Sequence, residues 1–120
     1  MKSTINILGT EYRIEEHKTS EDEFLEENGY AGYCEEDSKL IVYADMTEEK
    51  YFGKMDDSTR LSCRNRTLRH ELIHAFLNES GLSADASKTA GAWAKHEEMV
   101  DWFAIQSPKI YKAFQELEIL

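Results

Sequence analysis

The sequence predicts an α+β domain in which a small antiparallel sheet comes first and a helical part follows. Strand-like segments that alternate apolar and polar residues lie between residues 5 and 44, and the longest amphipathic helical patterns begin near residue 65. The chain has 120 residues, enough for one hydrophobic core and too few for two. We therefore expect a single domain over residues 1–120, with the sheet packed on the helices.

Four strand-like segments form two predicted hairpins. The first hairpin joins residues 5–7 to residues 12–14, and the second joins residues 30–34 to residues 39–44. Gly9 and Thr10 are expected in the first turn, and the acidic segment 35–38 in the second. Leu40–Tyr43 is the strongest strand pattern in the chain, because its four residues are all apolar or aromatic.

A short acidic helix is predicted between the hairpins. Ser20 and Glu23 match a capping box with Ser20 as the N-cap, and Asn28-Gly29 is typical of a helix end. After the second hairpin, the sequence predicts one helical turn over residues 47–52 and a polar loop over residues 53–62.

Two long helices are predicted in the C-terminal half. The first spans residues 65–79 and has an apolar stripe, and Gly81 lies just past its end. The stripe consists of Leu68, Leu72, Ala75 and Phe76. After a connection of small residues over 82–88, the second helix spans residues 89–106. Pro108 then begins a last helix with Ser107 as its N-cap.

The pattern with the most chemical information is His70-Glu71-Leu72-Ile73-His74. Residues four apart on a helix project from the same face, so His70 and His74 can bind one zinc ion. Glu71 is badly placed to be a third ligand, but its carboxylate can act as general base on a water molecule at the metal. The pattern predicts a zinc hydrolase.

A catalytic zinc site needs a third protein ligand and an open position for water. Glu97 and Asp101 lie four apart on the second predicted helix and share an apolar face, so both should point toward the first helix. We expect Glu97 to be the third ligand and Asp101 to accept the free N–H of a ligand histidine. Glu98 is the second choice, since it is turned by about 100° from Glu97 on an ideal helix.

The histidine motif together with His96-Glu97-Glu98-Met99-Val100-Asp101 resembles the gluzincin metallopeptidases, in which an Asn-Glu-x-x-Ser-Asp-like helix follows the motif. The small size and Phe103-Ala104 are more similar to the ImmA/IrrE-type peptidases, which are common in phages and mobile elements. In that group a glutamate ahead of a Phe-Ala pair binds the metal, which leaves Glu97 and Glu98 both open. The resemblance covers about residues 40–106. It implies a zinc endopeptidase with a narrow protein substrate, such as a transcriptional repressor.

The predicted mechanism is hydrolysis of a peptide bond by water that zinc activates. Zinc bound to both histidines and Glu97 would lower the pKa of that water, and Glu71 would take its proton and return it to the leaving amine. Candidates for a second donor to the oxyanion are Tyr43, His96 and Tyr111. Leu40–Tyr43 is either the strand along which an extended substrate docks or plain core sheet.

A second functional class is a zinc-containing binding or regulatory module without peptidase activity. Glu71 favours an enzyme, because a purely structural zinc site has no use for a base. The small size of the chain favours the module, because few residues remain to build specificity pockets.

Composition narrows the classes of partner. The formal net charge is −10, which argues against general binding to nucleic acid or to an anionic membrane. No apolar run approaches the ~20 residues of a membrane span, and no signal-peptide pattern is present. Cys34 and Cys63 are expected to be reduced thiols. We expect a cytoplasmic monomer that acts on a protein or peptide.

Four arginines form a basic cluster beside the motif in this acidic chain. They are Arg60, Arg64, Arg66 and Arg69. Either they dock an acidic segment of the substrate or a nucleic acid, or they pair with the many carboxylates of the surface.

Overall fold

Four strands form one sheet in the N-terminal part of the chain. The structure, a computed structural model, describes residues 2–82, 93–118 and 120. The strands are β1 (Thr4–Ile7), β2 (Thr10–His17), β3 (Gly32–Glu35) and β4 (Leu40–Ala44), in the spatial order β1-β2-β4-β3. β1 pairs antiparallel with β2, and β3 pairs antiparallel with β4, which confirms both predicted hairpins.

The two hairpins join each other in parallel, so the sheet is mixed and not antiparallel throughout as expected. Arg13 of β2 lies opposite Leu40 of β4, and His17 lies opposite Ala44. A parallel pair needs a crossover connection between its strands. The chain crosses over through a short 3-10 helix (residues 19–21), helix α1 (Glu23–Asn28) and β3, which brings β4 beside β2.

Helix α1 begins with Asp22 as its N-cap, and the predicted cap Ser20 is wrong. The Asp22 Oδ1 atom accepts a hydrogen bond from the Leu25 N–H at 3.1 Å. Ser20 instead donates through Oγ to Glu48 Oε2 at 2.6 Å, so a tertiary contact takes its side chain away from the helix end. Gly29 closes α1 in the left-handed conformation, with φ of 66°, as predicted.

Helix α2 (Glu49–Phe52) is the predicted helical turn, and helix α3 (Asp57–Glu79) carries the histidine motif. α3 begins well before residue 65 because Asp56 caps it. The Asp56 Oδ1 atom accepts a hydrogen bond from the Thr59 N–H at 2.7 Å. The predicted loop over residues 53–62 is therefore wrong in its second half.

β4 is buried along its whole length and lies at the centre of the core. Ile41 packs on α3 together with Leu68, whereas Val42 points to the opposite face of the sheet, where it packs with Leu25 of α1. A strand covered on both faces is expected to have a continuous apolar sequence. In the predicted stripe of α3, Leu72 and Ala75 also face the core, but Phe76 lies at the outer edge and is 44% exposed.

Helix α4 (Glu97–Glu116) follows a second short 3-10 helix over residues 93–95, and His96 is its N-cap. The predicted connection over residues 82–88 and the predicted helix start at Thr89 fall almost entirely outside the described residues. With the sheet packed on α3 and α3 packed on α4, the predicted α+β class is confirmed. Among the helices that the structure describes, none combines the length and the apolar composition needed to cross a membrane.

α4 continues through Pro108, so the predicted helix break at Ser107-Pro108 is wrong. Proline has no N–H, which leaves the carbonyl of Ala104, four residues earlier, without its helical donor. Arg69 of α3 replaces that donor, because its Nε–H bonds the Ala104 carbonyl at 2.6 Å. The contact between the helices thus satisfies the polar group that the proline leaves free.

Candidate metal centre

A cleft of about 680 Å³ lies between β3, α3 and the first turns of α4. Five of its lining residues are those that the sequence predicts to act together. They are His70, Glu71 and His74 from α3, and Glu97 and Asp101 from α4. The antiparallel packing of the two helices brings them together, because the first turns of α4 lie against the middle of α3.

The two histidines turn the same nitrogen toward each other. His70 Nε2 and His74 Nε2 are 3.1 Å apart, as expected for side chains one helical turn apart. Burial lowers the pKa of His74, which favours the neutral imidazole that a metal requires. Ligand atoms of His70, Glu71 and His74 all lie within 4.8 Å of one another, and this group could hold a metal ion.

Glu97 of α4 supplies a carboxylate beside the two histidine nitrogens. Its Oε2 atom lies 3.1 Å from His70 Nε2, and its Oε1 atom lies 3.2 Å from His74 Nε2. Donor atoms around one tetrahedral zinc ion are about 3.3 Å apart, as follows from Zn–N bonds of about 2.0–2.1 Å. Two imidazoles and one carboxylate at these separations therefore fit a single ion. Glu98, the second choice, is exposed and lines a separate groove outside this cleft.

Asp101 contacts the second ring nitrogen of His70, in agreement with the prediction that it accepts the free N–H of a ligand histidine. Its Oδ1 atom is 2.7 Å from His70 Nδ1. A proton on Nδ1 that is donated to this carboxylate leaves the lone pair on Nε2, which is the nitrogen that faces His74 and Glu97. The side chains of Glu97 and Asp101 are 66% and 61% exposed, so they border the open cleft and do not lie in the core.

Glu71 is the buried carboxyl of the cleft, with only 6% of its surface exposed. Its pKa is raised to about 7, first of all by burial; the charge of His70 opposes the shift, and the charges of Glu97 and Asp101 add to it. Close packing against β3 produces the burial. A Cβ atom placed on Gly32 would lie only 3.4 Å from Glu71 Cγ, so the glycine lets the strand approach the helix.

Among the strands that the structure describes, β3 is an edge strand, and it lies beside the cleft. The Ala44 N–H donates to the Ala31 carbonyl at 2.8 Å, and in an antiparallel pair the outward-facing residues alternate with the bonded ones. The main-chain groups of Gly32 and Cys34 therefore point away from β4, toward the free edge. Leu40–Tyr43 lies in β4 and is paired on both sides, so it is core sheet, and the docking role considered for it is wrong.

The three candidate oxyanion donors do not line the cleft. Tyr43 is buried in the core beside Leu68, His96 accepts the Met99 N–H as the cap of α4, and Tyr111 is exposed near the far end of α4. Sequence periodicity places residues on a helix or strand, but it does not show which end of an element faces the site. Lining residues that the sequence patterns did not single out include Gly32, Tyr33 and Lys95, whereas Arg66 belongs to the basic cluster considered for substrate docking. A glycine inside a strand is the only available signal among them.

The basic cluster of α3 separates into arginines with different surroundings. Arg60 pairs with Asp57, Arg64 bonds its neighbour Asn65, and Arg69 bonds the Ala104 carbonyl. Among the described residues, Arg60 is thus the only one of the four that pairs with a surface carboxylate. Arg66 lines the cleft and has no hydrogen bond or ion pair to any residue in the described part of the chain.

Comparison with known proteins adds no relative to these observations. No family model, no curated protein and no solved structure matches the chain. The resemblance to gluzincin and ImmA/IrrE-type peptidases therefore depends on the residues of the motif and of the acidic helix alone.

Proposed function

We propose that the protein is a zinc-dependent endopeptidase with narrow specificity for a protein substrate, in which Glu71 is the general base. The observation that carries the proposal is the convergence of two imidazole nitrogens and one carboxylate on a single point beside a buried glutamate. Residues of α3 alone supply the histidine pair and the base, and α4 supplies the third donor.

The donor set suits zinc in an open site. His70, His74 and Glu97 would hold the ion, and three protein ligands leave one of the four tetrahedral positions for water or substrate. Zinc in such a site lowers the pKa of water and polarises a carbonyl group. The neutral nitrogens and the single carboxylate also distinguish the site from calcium and magnesium sites, which use oxygen ligands.

Glu71 has the position of a general base, and in the metal-free protein its pKa is raised to about 7. A group titrating near the working pH can take a proton from water and return it to the leaving amine of the cleaved peptide. Glu71 gains this pKa from its burial between α3 and β3, and its carboxylate lies within 4.8 Å of a ring nitrogen of each histidine, close enough to reach water at the metal. Asp101 holds the ring of His70 by its bond to Nδ1 and has no part in the proton transfer.

The open edge of β3 suits an extended peptide. The outward main-chain groups of Gly32 and Cys34, which pair with no strand in the described part of the chain, can pair with a substrate strand that would lie along the cleft. Backbone pairing of this kind is independent of side chains, so selectivity must come from the other cleft residues.

The test compares the wild type with Glu71→Gln, both loaded with zinc. A peptide library made by digesting a proteome is incubated with each protein, and new cleavage products are identified by mass spectrometry. We expect cleavages with the wild type only, while both proteins retain about one zinc per chain. Equal cleavage by Glu71→Gln would remove Glu71 as the base. Full zinc content without any cleavage by the wild type would favour the binding or regulatory module instead.

The third ligand is tested by metal content. We expect Glu97→Ala to lose zinc during dialysis, whereas Glu98→Ala, a matched change one residue away and outside the cleft, retains it. Zinc loss in Glu98→Ala alone would show that the ligand has been assigned to the wrong residue.

A further inference from the structure

Arg66 lies at one end of the cleft and forms no hydrogen bond or ion pair with any residue that the structure describes. It lies one helical turn before His70 on the same side of α3, and its side chain is exposed. The cleft has a second cation, Lys95, but Lys95 is paired with Glu36 at 3.8 Å. In a chain of net charge −10, an arginine that pairs with no carboxylate in the described residues is available for an external anion.

The direction of β3 determines which part of a bound peptide meets Arg66. Gly32, early in β3, packs against Thr67, and Cys34, late in β3, lies 3.7 Å from Asn78. β3 therefore runs in the same direction as α3. A peptide that pairs antiparallel with β3 would start near Asn78 and place its carboxyl-terminal part near Thr67 and Arg66.

We propose that Arg66 selects the substrate by binding a carboxylate on the carboxyl-terminal side of the scissile bond. The carboxylate is either an acidic side chain or the free carboxyl terminus of the peptide. The inference rests on the proposed function, because it takes the peptide to lie along β3 over the metal donors. Guanidinium suits this role, since its planar N–H groups can bond both oxygens of a carboxylate at once.

The test measures binding and needs no hydrolysis. The 120-residue chain with Glu71→Gln and bound zinc is titrated with an acetylated hexapeptide of alternating leucine and alanine. The peptide carries glutamate or glutamine near its carboxyl end, and each form is made as the free acid and as the amide. Dissociation constants come from amide chemical shifts in two-dimensional NMR spectra.

We expect a peptide with the recognised carboxylate to bind about tenfold more tightly than its neutral counterpart, as for a charge-assisted hydrogen bond in a partly open site. The glutamate–glutamine pair and the acid–amide pair show which source of carboxylate is recognised. Arg66→Gln should abolish the preference. Arg64→Gln, which removes an equal charge outside the cleft, should retain it.

Equal affinity for charged and neutral peptides, including no detectable binding of either, would overturn the assignment, as would a preference that persists in Arg66→Gln. Unchanged spectral dispersion confirms that each variant is folded. If the preference depends on Arg66 but the wild type cleaves nothing, the carboxylate site stands and the peptidase function fails.

Discussion

His70 Nδ1 and Asp101 Oδ1 lie 2.7 Å apart, and this bond connects the middle of α3 to the start of α4. It fixes the rotation of the imidazole ring, so that Nε2 points at His74 and Glu97. The site is therefore organised by the packing of two helices, and a donor on one helix depends on a carboxylate of the other.

Removing the charge of Asp101 should weaken metal binding without removing a ligand. We expect Asp101→Asn to lower zinc affinity by about 10–100-fold, the usual effect of changing a residue that orients a ligand histidine. Competition with a chromophoric chelator measures the affinity. Glu98→Gln is the control, since it removes one charge from the same helix outside the cleft. Equal affinities of Asp101→Asn and the wild type would show that His70 needs no such support.

Arg69 and Pro108 should be energetically coupled through the Ala104 carbonyl. Arg69→Met leaves the Ala104 carbonyl without a donor, which should lower the free energy of unfolding by about 1–3 kcal/mol. Pro108→Ala restores the helical N–H that bonds this carbonyl, so Arg69→Met should cost much less in that background. Urea denaturation of the two single variants and the double variant measures the coupling. Strictly additive effects would show that the carbonyl does not need Arg69.

Gly32 should tolerate no side chain. A Cβ atom at this position would lie 2.7 Å from the Val42 carbonyl oxygen and 2.8 Å from Thr67 Cγ2. We expect Gly32→Ala to cost about 1–3 kcal/mol and to displace β3 from Glu71. Adding Thr67→Ala should recover only part of this loss, because the Val42 oxygen belongs to the main chain and cannot move aside. Thermal unfolding of the wild type, Gly32→Ala and the double variant provides the comparison, and a Gly32→Ala variant as stable as the wild type would contradict the close approach.

His17 should make stability depend on pH near neutrality. Its ring bonds Asp22 at 2.6 Å and Glu15 at 2.9 Å. Burial lowers its pKa, but the two carboxylates raise it by more, and the net shift is upward from 6.5. A raised folded-state pKa means that protonation of His17 favours folding. The contribution is complete below about pH 6.5 and is lost as the pH rises through the folded-state pKa.

The measurement for His17 is the free energy of unfolding in urea at pH 6 and pH 9. We expect the wild type to be less stable at pH 9 and His17→Gln to show a smaller difference between the two pH values. Asp22 has a lowered pKa, because its bonds to His17 and other donors outweigh its burial, so its contribution is lost only on acidification through that lowered pKa. A stability profile of His17→Gln that matches the wild type would refute the role of the imidazolium.

Local patterns in the sequence were sufficient to predict the hairpins, the motif helix and the pairing of Asp101 with a histidine. The hairpins and the motif helix follow from periodicity and turn residues, and the role of Asp101 follows from its four-residue spacing from Glu97. The parallel contact between β2 and β4 could not be predicted in this way, because it depends on a crossover over distant residues. Ser20 shows the same limit, since its contact with Glu48 decides against a cap that local sequence favours.

The sequence could not predict which residues of each helix and strand face the cleft. Four arginines look equivalent in the sequence, yet only the packing of α3 against β3 and α4 distinguishes Arg66 from Arg69. Proline normally marks a helix boundary. At Pro108 the helix continues, because Arg69 of α3 donates to the Ala104 carbonyl that the proline leaves without a donor.

α4 is one helix in geometry, but its two halves are held differently. All of its bonds to α3 described above come from residues 97–104, whereas every described residue from 111 to 118 is exposed. An amide proton exchanges with solvent when its helical hydrogen bond breaks. In an exposed part of a helix, small local fluctuations are enough to break that bond, whereas in a part packed on another helix a larger opening is needed. Deuterium uptake should therefore be fast in the last turns of α4 and slow near Ala104, so the C-terminal end can fray while the metal donors stay in place.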